Sequence, residues 1–79
     1  MDGDEVPMKY ELQRDFYYHV YKSSTPRCYM TKIDTFDSLV ELRDFVYHTY
    51  REGYTIQEVG LNFNISNAVA QVMCFVRSV

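Results

Sequence analysis

The chain has 79 residues, a formal net charge of −3, and eight Tyr and five Phe but no Trp. That length allows one domain with a small core, supplying only ~3–5 kcal/mol net without staples or a partner. No basic cluster is present to neutralise phosphates, which argues against nucleic-acid binding, and no apolar run reaches the ~18–20 residues of a membrane span.

Residues 1–8 begin MDGDEVP, acidic and punctuated by Gly and Pro, and read as a flexible acidic tail ahead of a single α+β domain over residues 9–79. This start is opposite in character to a signal peptide, so the chain is expected in the cytoplasm.

Residues 9–22, KYELQRDFYYHVYK, alternate as a strand. Tyr10, Leu12, Phe16, Tyr18 and Val20 share one face, broken by Arg14. Glu11, Gln13 and Asp15 begin the other, which turns aromatic at Tyr17, His19 and Tyr21. Ser23, Ser24, Thr25 and Pro26 form a turn cluster. Residues 27–34, RCYMTKID, then read as an antiparallel partner strand, with Cys28 and Met30 on one face and Tyr29 and Ile33 on the other.

Residues 36–53 carry the strongest pattern. Leu39, Leu42, Val46 and Tyr50 fall on one side of a helix, and Phe45 widens the stripe. Asp37 is a good N-cap, and Ser38 with Glu41 offers a capping box one residue later. Gly53 can take the left-handed conformation that closes the helix.

Residues 54–65 read as one strand, with Val59, Leu61, Phe63 and Ile65 alternating with Glu58, Gly60, Asn62 and Asn64. Ser66-Asn67 is a turn candidate. Residues 68–79, AVAQVMCFVRSV, fit either a central strand or a helical stripe through Val69, Val72, Val76 and Val79. The expected fold is therefore α+β, an antiparallel β-sheet with one helix in the order β-β-α-β-β, with β-β-α-β-α as the alternative.

Little points to chemistry. Cys28 with His19 or His48 is the only thinkable thiol pair, and no local spacing supports it. The two Cys and two His lack metal-binding spacing, and the three Gly are isolated, so no metal, cofactor or enzymatic activity is expected. Cys28 and Cys74 read as reduced and structural. Residues 55–73, TIQEVGLNFNISNAVAQVM, loosely resemble a helix-turn-helix, with Asn67 and Gln71 on the reading helix. The usual buried branched residue after the turn would fall at Ala70, and the recognition segment has only Arg77, at its far end past residue 73, for phosphates.

A sheet with one helix has one open face. Tyr17, His19 and Tyr21 are expected on it, extended by Tyr29 from the neighbouring strand, as anchors for a protein partner.

In overall character FYYHVYK, RCYMTKIDTF and FDSLVELRDFVYHTYREGY resemble the small proteins that phages and mobile elements encode against host factors. The resemblance is one of class, without a family motif. It implies a non-enzymatic protein-binding module that inhibits or modulates a host protein in the host cytoplasm, as an anti-defence (anti-CRISPR among them) or host-takeover factor. Two other readings stay open: a small helix-turn-helix-like DNA-binding regulator, and a structural homo-oligomer, down to a homodimer.

Overall fold

The computed structural model describes residues 9–18 and 27–79. The tail expected at residues 1–8 and the turn expected at residues 23–26 lie outside the described residues. The elements are β1 (Tyr10–Tyr18), β2 (Cys28–Phe36), α1 (Leu39–Thr49), β3 (Thr55–Val59), β4 (Asn62–Ser66) and β5 (Ala70–Ser78). They form one five-stranded sheet in the order β2-β1-β5-β4-β3, every neighbouring pair antiparallel, with the single helix on one face. The α+β class and the order β-β-α-β-β hold, with the third β segment folded on itself into β3 and β4.

That fold-back lies at Gly60-Leu61. Val59 pairs with Asn62, and Gly60 has φ +63°, the positive φ that a two-residue hairpin turn needs at its first central position. The turn reverses the parity of the segment. Phe63 and Ile65 point into the core as expected, but opposite them stand Glu58 and Ile56, while Val59 and Leu61 are exposed.

Residues 70–78 are strand, not helix, and β5 is the middle strand of the sheet. A strand paired on both sides suits a run that is apolar on both faces. The Asn67 side chain shapes the turn before it, accepting from the backbone N–H groups of Val69 at 2.9 Å and Ala70 at 2.8 Å. The segment resembling a helix-turn-helix is thus three strands, which removes the structural basis of the DNA-binding alternative.

The helix starts at the later of its two candidate caps. Ser38 Oγ accepts from Glu41 N–H at 3.2 Å, while Asp37 instead receives Lys9 Nζ at 2.6 Å. It ends at Tyr50, whose N–H donates to the Val46 carbonyl, and Gly53 follows with φ +83°. Leu42, Val46 and Tyr50 pack on Leu12 of β1, Phe63 and Ile65 of β4, and Val72 and Cys74 of β5.

Arg14, the residue that interrupts the apolar face of β1, is buried beneath the helix. Its Nη1 donates to Tyr50 Oη at 3.0 Å and its Nη2 to Asp34 Oδ2 at 3.1 Å. Its guanidinium also lies over the Phe45 and Phe16 rings, 4.9 Å and 5.4 Å from their centroids.

Leu42 is fully buried, whereas Val40 two residues earlier is exposed. Leu42→Ala should therefore cost ~2–5 kcal/mol in chemical denaturation, and Val40→Ala no more than ~0.5 kcal/mol. Equal midpoints for the two variants would contradict this packing.

Candidate functional site

The helix is too short for the sheet it covers. Eleven residues of helix span about 16 Å, whereas nine residues of β1 span about 30 Å. The helix begins over the Phe36 end of the sheet, where Phe45 and Phe36 meet at 5.3 Å, and ends where Tyr50 meets Arg14. Among the described residues nothing covers the Tyr18 end of the same face. There the rings of Tyr18 and Tyr29 stack 4.4 Å apart at an interplanar angle of 7°, with exposures of 55% and 49%. Phe16 tilts against Tyr29 at 6.2 Å, and the exposed Met30 sits opposite Phe16. Desolvation, and next the interaction of its hydroxyl with that of Tyr18, hold the Tyr29 phenol above its ordinary pKa.

This placement separates residues that the sequence groups together. The β1–β2 register steps from Phe16–Met30 to Tyr17–Cys28, leaving Tyr29 as the extra residue of a bulge. The bulge reverses the alternation of β2 at that point. Tyr29 joins Tyr18 and Phe16 on the helix side, and Cys28 joins Tyr17 on the open side. Among the four residues expected to form one strip, Tyr17 and Tyr29 are on opposite faces, and His19 and Tyr21 lie outside the described residues. Tyr17 is half-buried on the open face, between Cys28 and Gln71 of the flanking strands. Met30 likewise takes the helix side, so the expected pairing of Cys28 with Met30 on one face does not hold.

The open face is largely occupied with its own polar contacts. Asp15 accepts from Thr31 Oγ1 at 2.9 Å and from Gln13 Nε2 at 3.1 Å. Gln71 Nε2 donates to Asn64 Oδ1 at 3.0 Å, and Arg77 Nε to Glu11 Oε1 at 2.7 Å. The exposed apolar groups there, Ile33, Phe75 and Val59, are dispersed among these residues, an ordinary surface composition.

On its other flank the helix is clamped to β3. Arg43 grips Glu58 with both nitrogens, at 2.9 Å and 2.8 Å, and the Tyr47 hydroxyl donates to the same carboxylate. Beside this clamp a groove of about 490 Å³ runs between the helix and β3, lined by residues including Tyr47, His48, Tyr54 and Ile56. Arg43 and then Tyr47, as hydrogen-bond donors, lower the Glu58 carboxyl to about 2. An inward-facing Glu on β3 has no apolar signal, so its pairing with Arg43 is not readable from periodicity.

Cys28 and His48 are not brought together, since one lies on the open face and the other on the helix. Among the described residues no cluster of three or more His, Cys, Asp or Glu could hold a metal ion, and no helix is long and apolar enough to cross a membrane. No protein-family model, curated protein or solved structure matches the chain. What the arrangement offers is an exposed, pre-stacked aromatic surface.

The Glu58 carboxyl has its pKa lowered on folding, so it stabilises the fold above about 4.5 and loses that effect as pH falls toward about 2. Glu58→Gln should flatten the dependence of Tm on pH within that window, and parallel curves for parent and variant would contradict the clamp. The two thiols should also differ. Burial raises the Cys74 thiol to about 11, whereas Cys28 is exposed. A thiol reagent should therefore label Cys28 in the folded chain and reach Cys74 only on unfolding, with mass spectrometry of the labelled peptides as the check.

Proposed function

We propose that the chain is a non-enzymatic protein-binding module whose contact surface is the uncovered end of the helix-side face. The observation that carries this reading is the stacked Tyr18–Tyr29 pair, about half exposed and flanked by Met30. Two rings held in register on a sheet have already lost the side-chain freedom that binding would otherwise cost. Tyrosine is enriched among residues that dominate interface energies. The bulge at Tyr29 aims the ring, a role bulges often play next to functional surfaces.

The class resemblance to small host-factor inhibitors supplies the direction of the effect. By covering a working surface of a host protein the module inhibits or modulates it, with no chemistry of its own. A phage or mobile element is the source this resemblance implies, and the host cytoplasm the place of action.

Tyr29→Ala and Tyr18→Ala should each weaken binding to a partner captured from lysate by ~1–3 kcal/mol, with circular dichroism unchanged. Val40→Ala, on the exposed side of the helix, should bind like the parent. Tyr17→Ala tests the opposite face. If it abolishes binding while Tyr29→Ala does not, the working surface is the open face and this assignment fails.

A further inference from the structure

We propose that two copies of this chain pair edge to edge through β2, antiparallel about a two-fold axis at Ile33. The two edges of the sheet, β2 and β3, are unequal. The β3 edge is five residues long and carries Glu58, already engaged by Arg43. The β2 edge is nine residues long, and among the described residues no strand pairs with its outer side. Proteins usually blunt such an edge with short length, Pro, a bulge or charged residues, Lys above all; β2 carries a bulge at its Tyr29 end and the charges Lys32 and Asp34, which are of opposite sign. From Met30 to Phe36 the β2 register is continuous and contains no Pro.

The residues of this edge are complementary to themselves. With Ile33 opposite Ile33 of the second copy, Lys32 of each chain faces Asp34 of the other. Thr31 then faces Thr35, and Met30 faces Phe36. Opposite charges, Thr pairs and apolar pairs are the cross-strand combinations that stabilise antiparallel strands. Shifting the axis to Lys32 or to Asp34 would instead set like charges opposite each other. The pairing about Ile33 also keeps the two helices on the same side of a continuous sheet, because opposed residues point to one face.

A second observation concerns Lys32 itself. In its own chain it stands directly across from Arg14, a like charge, and no acidic partner for it is present among the described residues. Asp34 spends one oxygen on Arg14 and remains 44% exposed at its side chain. A second β2 strand would set a carboxylate opposite each lysine and give each aspartate a second cation.

The test is the mass of the purified chain by light scattering over a concentration series, with circular dichroism on every variant. The parent should be a dimer at the upper concentrations. Lys32→Glu, which faces Asp34 with a second acid, and Ile33→Lys, which sets two cations on the axis, should both run as monomers. The double variant Lys32→Glu/Asp34→Lys restores opposite charges across the axis and keeps a carboxylate beside Arg14. It should recover the dimer, and failure to do so while folded would refute the register. A parent that stays monomeric throughout overturns the proposal. So does a dimer that persists in both Lys32→Glu and Ile33→Lys, and these two exposed positions decide the matter even if the double variant does not fold.

Discussion

The structure depends on one buried cation. Arg14 lies between sheet and helix, and a guanidinium there is costly unless its donors and its charge are matched. The matches come from three elements: Tyr50 and Phe45 from the helix and its cap, Asp34 from β2, and Phe16 from β1 itself, while Nε is buried without a hydrogen-bond partner among the described residues. The arrangement specifies geometry more strongly than apolar contact would. A helix sliding along an apolar sheet loses little, whereas one that moves Tyr50 off Arg14 leaves a buried donor without a partner. Arg14 thus fixes where the helix stops. Burial raises the Tyr50 phenol, against the opposing hydrogen bond from Arg14, which keeps that hydroxyl neutral and available as the acceptor.

Where the helix stops decides what the molecule exposes. With Tyr50 held at Arg14, the helix does not cover the far end of β1, where Tyr18 and Tyr29 stack on each other and Phe16 and Met30 adjoin them. Phe16 still packs on the core, while Tyr18 and Tyr29 stack outside it. Their exposure follows from a length mismatch between an eleven-residue helix and nine-residue strands. The Arg43–Glu58–Tyr47 clamp fixes the other flank of the helix to β3, so lateral movement over that end is also opposed.

The helix was legible because period, cap and stop agreed on Leu42, Val46, Ser38 and Gly53. The β1–β2 hairpin was legible from alternation. What failed was parity, twice. Gly60 allowed a two-residue turn in the midst of an alternating run. The apolar residues on the near side of that turn, Val59 and Leu61, looked like a continuation of Phe63 and Ile65, although they are exposed. An isolated Gly within a strand pattern was the available signal. At Tyr29 a bulge shifted the register by one residue, and a one-residue shift sends a side chain to the other face. Nothing in RCYMTKID marks that bulge, so the strip expected from Tyr17 and Tyr29 was divided. Arg14 was visible only as an interruption. Its partners come from sequence positions twenty and thirty-six residues away, beyond any local pattern.

A domain of this size has little stability in reserve, and its structure leaves two places where association would add some. One is the aromatic end of the helix-side face, and the other is the β2 edge. Whatever binds only the folded state shifts the folding equilibrium by mass action. Binding and folding are therefore coupled more tightly here than in a larger protein. The two surfaces differ in what they demand of a partner. An edge satisfies backbone groups, and any extended strand can meet that need, so selectivity there must come from the side chains in register, Lys32 and Asp34 above all. The stacked tyrosines present shape and two hydroxyls, and a partner needs a pocket to match them. They meet at Tyr29, which belongs to the β2 edge strand by its backbone and to the aromatic surface by its ring, so the bulge that aims the ring also ends the continuous register of the edge.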